Sequence, residues 1–125
     1  MLIPVLLAND PNHGHYVPAM IYAGLVYVSG TLPAVRETDA VTAGTPFKDQ
    51  MQQLLRNCLD ILTAAGSSEH KVISFTLYLL SLDDWDVAND LLAAFFGSHR
   101  PARAVICVPQ IRKGYAAQAT LVAAV

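Results

Sequence analysis

The spacing of apolar residues changes along the chain, and each change marks an element. Residues 1–7 are mostly apolar and predict a short strand, followed by a turn signal at Asp10-Pro11-Asn12. Residues 16–22 and 25–29 flank Ala23-Gly24, which predicts a hairpin. Residues 31–44 are polar, with Pro33, Glu37 and Asp39, and read as a loop. The period then becomes helical. Phe47, Met51, Leu54, Leu55, Cys58, Ile61, Leu62 and Ala65 share one face. Thr45 suits the N-cap, Pro46 the first helical position and Gly66 the stop. Residues 72–80 alternate as a half-buried strand, with Ile73, Phe75, Leu77 and Leu79 on one side. Asp83 or Asp84 is placed to cap a second helix, with Trp85, Ala88, Leu92, Phe95 and Phe96 inward and Gly97 at its end. Residues 102–108 predict a strand, 109–114 a turn and 115–125 a last strand.

The predicted order is β-β-β-α-β-α-β-β. About six strands and two amphipathic helices imply an α+β fold, the helices on one face of a mixed sheet. The last strand has no charged side chain and no clearly solvated face. It is therefore central and covered, or its outer face meets another subunit.

Composition sharpens this. The chain has 125 residues, which fits one domain spanning 1–125. Apolar residues make up 54% and charged residues 14%, an apolar surplus for which self-association is the simplest outlet. No stretch reaches the ~20 apolar residues of a membrane span, and the start lacks the basic region of a signal peptide. A net charge of −2 disfavours nucleic acid as a partner. Cys58 and Cys107 form no metal or redox spacing, and read as small core residues of a reduced, cytoplasmic protein.

Arg103 is the most informative residue. It interrupts the apolar strand Ala102-Arg103-Ala104-Val105-Ile106-Cys107, where alternation puts it on one face with Val105 and Cys107. Its charge cannot be shed, so it must be compensated. That need is met by one of the chain's own acids, by the side chain snorkelling out to solvent, or by a substrate carboxylate held by both nitrogens of the fork. Gln118, mid-strand among alanines, either bonds within the sheet or orients a water or an amine. Tyr16 and Tyr115 each offer a hydroxyl, or simply anchor an aromatic ring. Ser29-Gly30 is a plain turn, or a source of a backbone N–H for a ligand. His13-Gly14-His15 lacks a third ligand nearby, so no metal is expected, and no cofactor motif is present.

Taken together, these residues resemble the RidA/YjgF family, also called L-PSP endoribonuclease-like, over nearly the whole chain. The matching segments are Gly14-His15-Tyr16, Val26-Tyr27-Val28-Ser29-Gly30, Gln50-x-x-Gln53-x-x-x-Asn57, Ala65-Gly66 and the strand at 72–80. Further matches are Asp83-Asp84-Trp85 leading to Asn89, and above all Arg100-Pro101-Ala102-Arg103-Ala104. The resemblance implies a chorismate-mutase-like homotrimer with sites in clefts between subunits. It implies hydrolysis of enamines and imines to a 2-oxo acid and ammonia. It implies that Arg103 holds the substrate carboxylate, that Tyr16 lines the cleft and that Gly30 belongs to it.

The chain departs from the family pattern where it matters. The last-strand glutamate of typical members falls, by spacing from Arg103, on Gln118. The second acidic position of that strand is Thr120, the glutamine after Ser-Gly is Thr31, and Pro18 replaces another glutamine. The expected catalytic residues are Arg103, Gln118 and Tyr16. The expected substrate-binding residues are Arg103, Gly30, Thr31, Tyr115 and Cys107. The expected activity is a 2-imino acid deaminase, weakened by Gln118. The alternatives are a non-catalytic binder or sensor of small 2-oxo or amino acids and, third, a ribonuclease or translation inhibitor.

Overall fold

The computed structural model describes residues 1–8, 14–36 and 38–125. The predicted turn at Asp10-Pro11-Asn12, together with His13 and Glu37, lies outside the described residues. Six strands form one sheet: β1 (Ile3–Val5), β2 (Ala19–Tyr22), β3 (Leu25–Thr31), β4 (Val72–Leu79), β5 (Ala102–Cys107) and β6 (Ala117–Ala124). Two helices, α1 (Phe47–Ala64) and α2 (Trp85–Phe96), complete the fold. The sheet order is β1-β2-β3-β6-β4-β5, with β4 and β5 parallel and every other pair antiparallel. The sheet is therefore mixed, α+β and six-stranded, as expected, and β6 lies inside it.

Alternation decides which face the helices cover. Phe75, Leu77 and Leu79 of β4, with Ala117, Ala119, Leu121 and Ala123 of β6, are buried against Met51, Leu54, Cys58 and Leu62 of α1. Each large side chain so buried contributes about 1.5–3 kcal/mol. The alanines of β6 leave room for α1 to approach the sheet. The opposite face carries Gln118, Thr120 and Val122 and is not covered by a helix. Tyr27 lies opposite Val122 on it, and Ile106 lies beside Tyr78, which itself pairs with Gln118. Both Tyr27 and Ile106 are exposed.

Several local expectations need correction. The second strand begins at Ala19, so Tyr16 lies ahead of it, beyond Pro18. A register shift between Val72 and Ser74 buries Val72 and turns Ile73 outward. Thr45 does not cap α1: Pro46 occupies the N-cap, and the Thr45 hydroxyl accepts the Thr42 N–H at 2.9 Å. A 3-10 turn at Leu82–Asp84 precedes α2, and the capping oxygen belongs to Ser81, which accepts the Asp83 N–H at 3.1 Å. Neither aspartate caps through its side chain, and burial followed by Asp83 raises the pKa of Asp84. Trp85 is not inward: in the first turn of α2 it lies over edge strand β5 and is exposed. Cys58 is buried as a core residue, whereas Cys107 is exposed.

Candidate functional site

The expected site residues fall into two groups. The first group is on the helix side of the sheet. Arg103 pairs with Phe75 and Cys107 with Leu79, so the two share a face, as alternation implied, and that face is the helix side of the edge strand. The Arg103 guanidinium donates from one terminal nitrogen to the Asn89 side-chain carbonyl at 2.8 Å and lies 5.6 Å from the centre of the Trp85 ring. Asn89 and Trp85 are four apart on α2, one turn of the same helical stripe. Arg103 is exposed, and among the described residues no carboxylate pairs with it. The Cys107 thiol points back to the Leu80 carbonyl at 3.4 Å.

The second group surrounds the end of β3. A cavity of about 370 Å³ is lined by Tyr16, Ser29, Gly30, Leu32, Arg112 and Gln118. It adjoins a depression of about 1080 Å³ that shares Tyr16, Gly30 and Arg112 and adds Thr31 and Tyr115. The local structure explains the gathering. The pairing of β3 with β6 is irregular between Val28 and Thr31, so Ser29-Gly30 bulges out of a regular ladder. Ser29 donates its hydroxyl to the Val17 carbonyl at 2.6 Å, and its N–H goes to the Pro18 carbonyl at 2.9 Å, tying the Tyr16 segment to the bulge. A β-carbon built on Gly30 would come within 2.7 Å of Gln118 Nε2, so the amide lies directly against the glycine.

Helix α1 fixes the loop beyond. Asn57 donates from its amide to the carbonyls of Leu32 at 2.9 Å and Ala34 at 2.8 Å, and receives a bond from Gln53 at 2.8 Å. Gln50, buried, donates to the Thr45 carbonyl at 2.8 Å and accepts the Ala116 N–H at 2.9 Å. These helix amides match the family segment quoted above, and their work is to hold the cavity walls.

Thr31 and Tyr115 are less available than expected. Thr31 is buried, with its hydroxyl donating to the Ser29 carbonyl at 2.9 Å. It also bonds the thiol of Cys58, whose pKa burial pushes up to about 12 against that bond. Tyr115 is buried and donates its hydroxyl to the Val41 carbonyl at 3.1 Å. Both therefore shape the wall and spend their hydroxyls within the fold.

One chain thus brings Tyr16, Gly30 and Gln118 together and leaves Arg103 elsewhere. Gln118 pairs with Tyr78 and Arg103 with Phe75, positions an odd number of residues apart on β4, which therefore face opposite ways. Arg112, Asn89 and Trp85 were not expected at the site. The basic pair Arg112-Lys113 was the sole sequence signal for the first, and the Trp85-to-Asn89 segment for the others. Among the described residues no three His, Cys, Asp or Glu side chains group as a metal site, and no helix is long and apolar enough to cross a membrane.

Comparison with known proteins identifies the family and the fold. A family model described as Endoribonuclease L-PSP matches residues 8–125. A RutC family protein of Pyrococcus horikoshii is 33% identical over 87% of this chain and 86% of its own length. A protein of Dermatophagoides farinae named 2-iminobutanoate/2-iminopropanoate deaminase is 29% identical over 90% of this chain and 86% of its own length. The crystal structure of E. coli TdcF with bound serine superposes with a TM-score of 0.82 at 26% identity, covering 90% of this chain and 89% of that one. The chain belongs to the Endoribonuclease L-PSP family, the group that includes the RidA/YjgF proteins.

Proposed function

We propose that the protein hydrolyses small 2-imino acids to 2-oxo acids and ammonia in a cleft formed between copies of the chain, most simply in a homotrimer. The observation that carries this reading is the division of the site. On one face Arg103 is a steadied cation with no carboxylate partner among the described residues, and the cavity of Tyr16, Gly30 and Gln118 opens on the other. A neighbouring copy seated on the uncovered sheet face would bring its Arg103 to this cavity. The relatives named as deaminases and the serine held by TdcF favour a small carboxylate as the occupant.

In this site Arg103 binds the substrate carboxylate through the guanidinium edge that Asn89 leaves open. Water adds to the imine carbon to give a carbinolamine. The hydroxyl proton passes to the amine nitrogen, directly or through water, as the C–N bond breaks, leaving the 2-oxo acid and ammonia. Gln118 aligns the water, and holding the reactants in place supplies much of the rate. A glutamine cannot accept a proton, so the reaction is slower than with an acid at that position. The ribonuclease reading has less support, because the chain carries few basic residues and, among the described residues, no histidine lines the cavity.

Ammonia release from 2-iminopropionate generated in situ tests the proposal. Wild type should hydrolyse the imine measurably, Arg103→Ala should lose activity, and Gln118→Glu should gain about 10²–10⁴-fold, the worth of positioned acid–base help. Absence of catalysis with retained binding of 2-oxobutyrate would favour the binder or sensor instead.

A further inference from the structure

Arg112 is the charged group among the described residues of the cavity, and this mechanism does not use it. It opens a 3-10 turn at Arg112–Gly114 that is fixed from both sides. Ile111 before it and Tyr115 after it are 8% and 6% exposed. The turn is closed by the Gly114 N–H on the Ile111 carbonyl at 3.0 Å, with Lys113 and Gly114 both at positive φ (59° and 74°). The arginine therefore leaves from an anchored backbone. Its guanidinium makes no hydrogen bond or ion pair with another described residue, yet it lines the cavity beside Gly30 and Gln118.

The charge of this cavity is unusual for one expected to hold a catalytic acid. Among the described residues its lining holds one arginine, one neutral amide and no carboxylate. Asp39 and Asp60 line the larger depression and not the cavity. An unpaired guanidinium held against a polar recess is matched by an anion with two acceptor oxygens. Under the proposed function, Arg103 already takes the carboxylate next to the imine carbon.

We propose that the preferred ligands are dicarboxylic 2-imino and 2-oxo acids, with Arg103 holding one carboxylate and Arg112 the other. This rests on the reading that Arg103 of a neighbouring copy completes the cavity. For dicarboxylic substrates it also gives Gln118 a reason to be neutral, since a glutamate there would compete with the second carboxylate for Arg112, a competition that 2-iminopropionate, with one carboxylate, does not meet.

Calorimetric titration of the intact oligomer with 2-oxoglutarate and 2-oxobutyrate tests the inference. Wild type should bind 2-oxoglutarate at least tenfold more tightly. Arg112→Gln should remove that preference by weakening 2-oxoglutarate alone, and Arg112→Lys should keep part of it. Arg112 is exposed, so neither variant should disturb folding. Equal affinities in wild type, or an equal loss of both acids in Arg112→Gln, would overturn the inference while leaving the deaminase reading intact. A preference that depends on Arg112, in a protein that hydrolyses no imine, would support the inference and remove the catalytic reading. Failure of wild type to bind either acid would overturn both.

Discussion

The amide of Gln118 occupies the space that a side chain on Gly30 would need: a β-carbon there would lie 2.7 Å from Gln118 Nε2. The clash is with the end of a flexible side chain, so the fold can yield at that point while the site cannot. Gly30→Ala should therefore cost about 1 kcal/mol of stability or less, yet reduce turnover of an imine on the order of tenfold by turning the amide away. Thermal unfolding measured beside kcat/KM separates the two effects. A large fall in Tm with unchanged turnover would mean that Gly30 serves the backbone and not the amide.

Asn89 and Trp85 hold Arg103 from two directions, one through a hydrogen bond and one beneath the ring. Asn89→Ala should weaken carboxylate binding about fivefold to tenfold, a cost of about 1–1.4 kcal/mol. Trp85→Leu should cost less, about 0.5–1 kcal/mol, as expected of a solvent-exposed cation–π contact. Asn89→Asp should be the most damaging, because its carboxylate would neutralise the guanidinium internally. Titration with 2-oxobutyrate ranks the three, and Asn89→Asp binding better than Asn89→Ala would refute this role.

The uncovered sheet face should be the contact between copies. Val122 lies at its centre on β6, opposite the exposed Tyr27. Val122→Arg should convert the assembly to monomers in sedimentation equilibrium at micromolar concentration, and abolish imine hydrolysis with it. Val122 projects away from the core packed under the helices, so circular dichroism should remain that of the folded chain.

Cys58 and Cys107 should differ chemically. Burial pushes the Cys58 thiol from 9.0 to about 12, with the bond from Thr31 acting the other way. At pH 8 an aromatic disulfide reagent should label Cys107 in the native protein and Cys58 only after denaturation. The raised value means that the fold favours the protonated thiol. Its contribution is complete below the unfolded pKa near 9.0 and is lost as pH rises from there toward 12. Cys58→Ala should accordingly flatten part of the alkaline fall in stability.

Much of the architecture was legible because periodicity reports burial. Both helices, the alternation of β4 and the interior position of β6 followed from which residues are apolar and how they are spaced. The misreadings arose where a local event overrides the period. One extra residue between Val72 and Ser74 turned Ile73 outward. The first turn of α2 overhangs an edge strand, so Trp85 sits on a helical stripe with no core beneath it. Alternation placed Arg103, Val105 and Cys107 on one side, but not which side that was relative to Gln118. That relation depends on β6 inserting between β3 and β4, a long-range pairing with no local signal. Arg112 lies in a turn, where no period exists to single it out.

The same insertion has a consequence for how the chain reaches its native state. Strands β1, β2 and β3 form one antiparallel unit and β4 with β5 another, and β6 hydrogen-bonds to both. Until residues 117–124 slot between them, each unit presents an open inner edge, and joining them closes pairings nearly a hundred residues apart, such as Val26 with Ala123. Loop-closure entropy is lost before those contacts reward it, so folding should be slow for a domain of this size. The critical step is the docking of one uncharged strand, which must find its register between two partners at once.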